Sequence, residues 1–169
     1  LIIETCAKRY KKEIMADPEQ LIKPPLQPLT TDLVLELWSR TYNTNGKPDW
    51  SHIFPYYHED ITFQDTIQTI HGKSDFTAMC ARLTDRCEEL QMDILDIAAG
   101  DNVIFMQWIM TMIFRKTPST PLYGCTKLTL NPEGLIIQQR DYYDLWGDIF
   151  ANVPFMKRAY PRFMRRLFG

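Results

Sequence analysis

The sequence between Gln91 and Asp144 contains four successive segments with the features of β-strands. They read QMDILDIAA, VIFMQWIMTMIFRK, LYGCTKLTL and LIIQQRDYYD, and turn sequences such as GDN and NPEG separate them. Short connections of this kind join antiparallel neighbours, because parallel strands need a crossover of a dozen or more residues. This half of the chain is therefore predicted to form an antiparallel sheet.

The second of these segments is apolar at nearly every position. Between Val103 and Phe114 the odd-numbered residues include only two polar side chains, Gln107 and Thr111, and the alternate set is wholly apolar: Ile104, Met106, Trp108, Met110, Met112 and Phe114. Such a strand needs cover on both faces. We expect helices to cover one face and another surface, such as a partner subunit, to cover the other.

Two helical patterns precede the strands. The first can be capped by Thr30 or Thr31 and repeats apolar residues on one side, at Leu33, Val34, Leu37 and Trp38. A short helix is expected around Asp49 to Phe54. The second long helix follows Gly72, with Ser74 as its predicted cap and a single stripe of Phe76, Met79, Cys80, Leu83, Cys87 and Leu90.

Helices followed by a curved antiparallel sheet predict an α+β cone. The 169 residues, 45% of them hydrophobic, are enough for one domain with a sizeable core. Residues 1–29 are predicted to be an N-terminal extension that ends in the connector KPPLQPL, and residues 30–169 are predicted to be the domain.

The cysteines and the apolar runs restrict the class of protein. Cys6, Cys80, Cys87 and Cys125 form no CxxC pair and have no histidine at zinc-site spacing, so we predict free thiols and no metal. No phosphate-binding loop indicates a cofactor. The longest apolar run falls short of the ~20 residues of a spanning helix, and no signal-peptide pattern is present. A cytoplasmic protein is the simplest interpretation.

Asp65 occupies a position where the strand pattern calls for an apolar residue. In the stretch ITFQDTIQTIHG it shares a face with Ile61 and Phe63. One interpretation is a carboxylate at the edge of a pocket, where desolvation raises the pKa toward the range useful in general acid or base catalysis. The other is a strand-end residue whose side chain accepts backbone hydrogens from the following turn.

The order of these elements resembles the nuclear transport factor 2-like superfamily, in particular its SnoaL-like branch. The resemblance covers roughly Thr30 to Gly169 and depends mainly on HEDITFQD leading to HGKSDF, and on NPEGLIIQQRDYYDL before a basic end. It implies a cone in which helices pack on the concave face of a bent sheet around an apolar pocket. It also implies a homodimer that pairs through the outer sheet face.

The resemblance implies possible catalytic residues as well. Asp65 lies at the position of a catalytic aspartate in the isomerase-like members. Those members also use a tyrosine from the first helix and a protonated aspartate from a later strand. Here Trp38 lies where that tyrosine is expected, Tyr42 follows one turn later, and the strand before NPEG has no carboxylate. Steroid isomerisation by that arrangement is therefore not expected.

Asp141 is the second candidate acid. It shares a strand face with Tyr143, whereas Asp144 falls on the other face, and an ion pair with a neighbouring Arg or Lys is the alternative interpretation. Other residues are predicted to bind the ligand through apolar contact or through phenol and indole donors: Trp38, Tyr42, Tyr57, Phe63, Met106, Trp108, Met110, Tyr143 and Trp146.

Charge is distributed unevenly along the chain. The formal net charge is −2, and because the segment after Asp148 contributes +5, the remainder carries −7. Nucleic acid is therefore not an expected partner. The segment PFMKRAYPRFMRRLFG has apolar residues at helical spacing with basic residues between them. It predicts either a final helix that closes the core or a basic amphipathic helix that lies on an anionic membrane.

These observations lead to three functional hypotheses. The first is a cofactor-independent isomerase, cyclase or dehydratase that acts on a small apolar carbonyl compound, with Asp65 moving the proton and Asp141 assisting. The second is a non-catalytic module that binds a small molecule or dimerises. The third is a peripheral membrane protein held by its basic C-terminal helix.

Overall fold

A computed structural model describes residues 26–42, 46–114, 121–149 and 155–169. Most of the predicted N-terminal extension, residues 1–29, lies outside these ranges. The helices are α1 (Thr31–Tyr42), α2 (Lys73–Arg86) and α3 (Met156–Phe168), with a 3-10 turn at Phe54–Tyr56 and a π-helical turn at Leu145–Ile149. The strands are β1 (Tyr57–Gln64), β2 (Thr69–His71), β3 (Cys87–Ala99), β4 (Val103–Phe114), β5 (Pro121–Leu130) and β6 (Ile136–Tyr143).

The six strands form one sheet in the order β2-β1-β6-β5-β4-β3. Strands β3 to β6 pair as antiparallel neighbours, which confirms the sheet predicted from the sequence. The pairing of β1 with β6 is parallel, and Gln64 lies beside Arg140 in its register. Because Asp65 follows Gln64 and Asp141 follows Arg140, this pairing brings the two predicted carboxylates to the same region.

The core lies between the helices and one face of the sheet. Val34, Leu37, Trp38 and Thr41 of α1 are buried, as the first helical pattern predicts. Strand residues on the inner face include Ile61, Met106 and Leu128, each at most 1% exposed. The protein therefore has the predicted α+β fold, with helices against an open curved sheet.

The boundaries around α2 differ from the prediction. The helix ends at Arg86 and Cys87 begins β3, so Cys87 and Leu90 do not belong to the helical stripe. Ser74 does not cap the helix. The helix begins at Lys73, and its N-cap residue is Gly72, whose φ of +84° is readily adopted by glycine. The N–H of Gly72 donates to the carbonyl of Ile61 at 2.8 Å.

Two short segments complete this region. His71 lies in the edge strand β2, opposite Thr62 of β1. The helix expected around Asp49 to Phe54 is a turn, in which the carboxylate of Asp49 accepts the N–H of Ser51, followed by the 3-10 turn.

Helix α3 does not close the core. None of its side chains is buried, and Phe163 and Leu167 are each 59% exposed. The expectation of a closing helix is therefore wrong for the described part of the chain. None of the described helices has both the length and the apolar character of a transmembrane segment.

Candidate functional site

A cavity of about 400 Å³ lies between α1, α2 and the inner face of the sheet. Its wall is mostly apolar, because α1 and α2 contribute Trp38, Phe76 and Leu83 and the middle of β4 contributes Trp108 and Met110. The polar groups come chiefly from β5, β6 and the turn after β1. A mainly apolar cavity with a few convergent polar groups is the usual form of a small-molecule site.

Asp141 is the carboxylate held by the sheet. Thr126 lies directly opposite it on β5 and donates its hydroxyl hydrogen to Oδ1 at 2.7 Å. The amide nitrogen of Gln139 donates to the same carboxylate at 3.1 and 3.3 Å. No ion pair to Asp141 occurs among the described residues, so the ion-pair interpretation is wrong for this part of the chain.

The pKa of Asp141 is raised from 3.8 to about 6. Burial in the cavity is the largest cause, because it disfavours the charged form. Hydrogen bonds from Thr126 and Gln139 oppose the rise, and the nearby charge of Asp65 adds to it. This carboxyl group therefore changes protonation state close to neutral pH.

The donors to Asp141 are themselves oriented by two buried aromatic side chains. The indole N–H of Trp108 donates to the hydroxyl oxygen of Thr126 at 2.9 Å, so the hydroxyl hydrogen is available to Asp141. The phenol of Tyr57 donates to the amide oxygen of Gln139 at 2.5 Å, which directs the amide N–H groups to the carboxylate. Each donor of this network has an acceptor, which fixes its geometry.

Asp65 combines the two interpretations given for it. Its Oδ1 accepts the backbone N–H groups of Ile67 and Gln68 at 2.8 and 2.7 Å, as a turn residue does. The side chain also lines the cavity, and its Oδ2 accepts the hydroxyl of Tyr143 at 3.3 Å. Burial and the charge of Asp65 raise the pKa of Tyr143, so this phenol stays protonated.

Tyr42 presents a phenol to the cavity from the end of α1. Its oxygen accepts the indole N–H of Trp50 at 3.0 Å, and among the described residues its own O–H has no acceptor. Burial raises the pKa of Tyr42. The group is therefore a neutral donor available to a ligand.

Most residues predicted to contact a ligand lie on the cavity wall. Their part in binding remains a prediction, and the seven on the wall are Trp38, Tyr42, Tyr57, Phe63, Trp108, Met110 and Tyr143. Two lie elsewhere. Met106 shares the inner face of β4 but is 1% exposed and packs inside the core, and Trp146 is 51% exposed on the π-helical turn.

Sequence reasoning missed Thr126 and Gln139, the donors to Asp141. Near the NPEG turn, Leu130 pairs with Ile136, and an unbroken register would place Cys125 opposite Asp141. An irregularity between Thr129 and Leu130 shifts this register by one residue. Such a shift exchanges the two faces of a strand, and nothing in the local sequence indicates it.

Metal binding receives no support from the described residues, which contain no group of three His, Cys, Asp or Glu side chains able to hold an ion. Cys80, Cys87 and Cys125 are free thiols. The burial of Cys80 raises its pKa, so it lines the cavity as a neutral thiol. Cys6 lies outside the described residues.

The α+β fold of this chain, a curved sheet with helices around an internal cavity, is that of the nuclear transport factor 2-like proteins. The chain belongs to the family of the SnoaL-like domain, whose model matches residues 38–139. The resemblance stated from the sequence is thus confirmed. A comparison with curated proteins gives no significant match.

Solved structures with this fold include proteins of several described activities. A proposed SnoaL-like polyketide cyclase from Jannaschia sp. CCS1 is 16% identical, with a TM-score of 0.59 over 74% of this chain and 94% of that one. A proposed polyketide cyclase from Xanthomonas campestris pv. campestris is 18% identical, with a TM-score of 0.58 over 69% and 91%. An LEH-like epoxide hydrolase of M. tuberculosis is 18% identical, with a TM-score of 0.51 over 58% of this chain and 71% of that one. These likenesses show the fold.

Proposed function

We propose that the cavity binds a small apolar carbonyl compound and that Asp141 transfers a proton to and from it. The observation that carries this proposal is a carboxyl group held in an apolar cavity by two oriented donors, with no cation paired to it among the described residues. A pKa of about 6 lets one group act as base and then as acid near neutral pH. The chemistry is isomerisation, cyclisation or dehydration without a cofactor.

The proposed reaction begins with removal of a proton from the carbon next to the carbonyl. Asp141 accepts this proton, and the electron pair of the broken C–H bond moves toward the carbonyl oxygen to form an enolate. Tyr42 donates its free O–H to that oxygen, and the N–H of Trp50 polarises the phenol. Asp141 then returns the proton to another carbon or to a leaving hydroxyl.

Asp65 supports this reaction from the neighbouring strand end. Its charge helps to keep the pKa of Asp141 raised, and its bond with Tyr143 fixes the phenol beside the site. The sequence suggests Asp65 as the proton carrier and Asp141 as the assistant. We propose the reverse, because burial raises the pKa of Asp141 to about 6, whereas Oδ1 of Asp65 accepts two backbone N–H groups of its own turn.

The test is the exchange of carbon-bound hydrogen for deuterium in D2O, followed by NMR on a panel of cyclic enones and β-diketones. This readout does not depend on knowing the product. We expect the wild-type protein to accelerate exchange for compounds that bind. Asp141→Asn should lower that accelerated rate at least about a hundredfold. Asp93→Asn, an exposed aspartate on β3, is the matched control.

Binding of panel compounds without accelerated exchange would contradict the catalytic proposal. The alternative hypothesis, a non-catalytic binding module that uses the same cavity, would then be the better account. Thermal-shift or calorimetric titration of each compound supplies the binding measurement, and Asp141→Asn should leave those affinities nearly unchanged in either case.

We also propose that two copies pair through the outer face of the sheet. Phe105, Tyr123 and Tyr142 point to this face from three adjacent strands and are 43%, 57% and 48% exposed. Aromatic side chains of this kind are enriched at protein interfaces. Pairing there leaves the cavity, on the opposite face, accessible to a ligand.

A further inference from the structure

Two arginines lie on the side of α2 that faces the cavity. Phe76, Met79 and Leu83 of this helix line the cavity, and the same wall continues at Arg82 and Arg86. These two are four residues apart, so their side chains project from neighbouring turns of one helix face. An ordinary core-facing helix has apolar residues at such positions.

Neither arginine has an ion pair or hydrogen bond to another described residue. The other end of the same helix gives a contrast, because Lys73 lies away from the cavity and forms an ion pair with Glu59 at 3.0 Å. Arg82 and Arg86 are exposed, which places them at the mouth of the cavity rather than in its interior. Their guanidinium groups are therefore free to bind an anion that enters there.

The cavity is thus polarised from its interior to its mouth. Asp65 and Asp141 supply negative charge inside it, and Arg82 and Arg86 supply positive charge at its entrance. A ligand with one anionic end enters with that end outward, since the interior carboxylates repel it and the guanidinium forks match carboxylate or phosphate geometry.

We infer that the ligand of this cavity is an apolar molecule with an anionic group at one end, which Arg82 and Arg86 hold at the mouth. This inference rests on the proposed function in taking the cavity as the ligand site, and it names the class of ligand. The anionic end orients the molecule so that its apolar, carbonyl-bearing part extends toward Asp141 and Tyr42.

A pair of fluorescent probes that differ in one anionic group tests the inference. The first, 1-anilinonaphthalene-8-sulfonate, carries a sulfonate, and N-phenyl-1-naphthylamine is the same aromatic body without it. In the double variant Arg82→Gln/Arg86→Gln we expect the affinity for the sulfonate probe to fall at least about tenfold and that for the neutral probe to change less than about twofold. Arg40→Gln, an exposed arginine of α1 away from the cavity, is the control and should change neither affinity.

Competition identifies the anion. Octanoate and octyl phosphate should displace the bound sulfonate probe, and octanol should displace it poorly; stronger displacement by one of the two anions distinguishes carboxylate from phosphate. Leu83→Trp, which fills the cavity from α2, should lower the affinity for both probes and so show that they bind in the cavity. Three results would overturn the inference. In the double variant, the affinity for both probes could fall equally, or the affinity for the sulfonate probe could stay unchanged. Octanol could also displace the sulfonate probe as well as octanoate and octyl phosphate do.

Failure of this inference is distinguishable from failure of the proposed function. If the probes discriminate as expected but no deuterium exchange is found, the anionic ligand class stands and the catalytic role of Asp141 is wrong. If exchange is found on neutral compounds and the arginine variants have no effect, the catalytic role stands and the anionic ligand class is wrong.

A different observation, the exposed helix α3, carries a second proposal. Five cations and no acid follow Asp148, and the helix separates them from an apolar face at three- and four-residue spacing: Met156, Tyr160, Phe163, Met164 and Leu167. No side chain of α3 is buried against the described domain. We propose that α3 lies on an anionic lipid surface, because such a surface offers phosphates to the cations and acyl chains to the apolar face.

Co-sedimentation of the full chain with vesicles tests this proposal. Binding is expected to mixed phosphatidylcholine and phosphatidylglycerol vesicles, to weaken as salt screens the charges, and to be absent with phosphatidylcholine alone. Phe163→Ser/Leu167→Ser and Arg162→Gln/Arg165→Gln should each reduce binding at least about fivefold, with Arg40→Gln as the control. Absence of binding, or a change of oligomeric state in the Phe163→Ser/Leu167→Ser variant without vesicle binding, would overturn it in favour of a second copy as the partner.

Discussion

The hydroxyl of Tyr143 donates a hydrogen bond to Asp65, with 3.3 Å between the phenol oxygen and Oδ2. Asp65 follows the end of β1 and Tyr143 is the last residue of β6, and these strands are parallel neighbours in an otherwise antiparallel sheet. The bond therefore joins the ends of two adjacent strands that are far apart in the sequence, at the wall of the cavity. It places one carboxylate within electrostatic reach of Asp141, which faces the same cavity.

Stability should depend on pH through Asp141. Its pKa is about 6 in the folded state and near the ordinary 3.8 when unfolded, so the folded state holds a proton that the unfolded state has released in this range. The stabilising contribution is complete below pH 3.8 and is lost as the pH rises through about 6. We expect Asp141→Asn to exceed the wild type in free energy of unfolding by about 1–3 kcal/mol at pH 8, and to show no advantage at pH 3.5.

Urea denaturation at a series of pH values measures this difference, with Asp93→Asn as the control. A wild-type advantage that grows from pH 4 to 8 would have the wrong sign for a raised pKa and would contradict the burial of Asp141.

Replacing Asp65 by Asn should lower the pKa of Asp141. The substitution removes the charge that raises this pKa, and the Asn side-chain oxygen can still accept the N–H groups of Ile67 and Gln68, so the turn is preserved. An NMR titration of the Asp141 carboxyl carbon in both proteins measures the shift. An unchanged midpoint would show that the two carboxylates do not interact.

Tyr42→Phe should slow the proposed reaction and leave binding almost intact. The variant keeps the ring but removes the hydroxyl, which is the only hydrogen-bond donor of the side chain. We therefore expect kcat to fall about 10- to 100-fold with little change in KM. Steady-state rates on a compound that exchanges deuterium provide the measurement. Tyr142→Phe, on the outer sheet face, serves as the control, and an equal effect there would argue against a specific role.

Gly124→Ala should destabilise the domain by about 2–4 kcal/mol. Gly124 lies opposite Trp108 in the β4–β5 register, and a Cβ at this position would overlap the indole ring. The displaced ring would also lose its bond to Thr126, which orients the donor to Asp141. Thermal unfolding followed by tryptophan fluorescence checks this. Gly100→Ala should change little, because its Cβ would make only an ordinary contact, 3.9 Å from the carbonyl oxygen of Val103, and its φ is ordinary.

Phe105→Glu should convert a dimer into a monomer if the outer face is the interface. The substitution removes the aromatic ring over which Lys127 lies, and it places a carboxylate from each copy in the proposed interface, where burial of a charge is costly. Sedimentation velocity gives the mass directly. Leu35→Glu, an equally exposed leucine on α1, is the control, and a monomeric wild type would contradict the proposed pairing.

Alternation of side chains was sufficient to predict the strands and to place Asp65 with Phe63, and Asp141 with Tyr143, on the face of the cavity. It was not sufficient for the end of α2, because Cys87 and Leu90 fit both a helical stripe and the buried positions of β3. When a local sequence fits both the helical and the strand pattern, it does not determine which one forms. Here the pairing of β3 with β4 determines it.

The polar network around Asp141 was less predictable than the fold. It depends on the parallel pairing of β1 with β6 and on the irregularity between Thr129 and Leu130, and both arise from how distant segments meet. The two arginines of α2 were similarly unpredictable, since a charged residue on a helix usually faces solvent, and only the position of the cavity gives these two a role.

The parallel neighbour relationship of β1 and β6 has a consequence for synthesis and folding. β1 cannot gain this neighbour until the last strand of the sheet has left the ribosome, because Ile136–Tyr143 lies near the end of the domain. Until then the sheet lacks β6, the strand that joins β5 to β1, and the apolar inner faces of β3, β4 and β5 belong to an incomplete sheet. Ligand binding in the cavity therefore reports on completion of the whole domain, and a chain truncated before Ile136 is expected to require chaperone protection and to bind nothing.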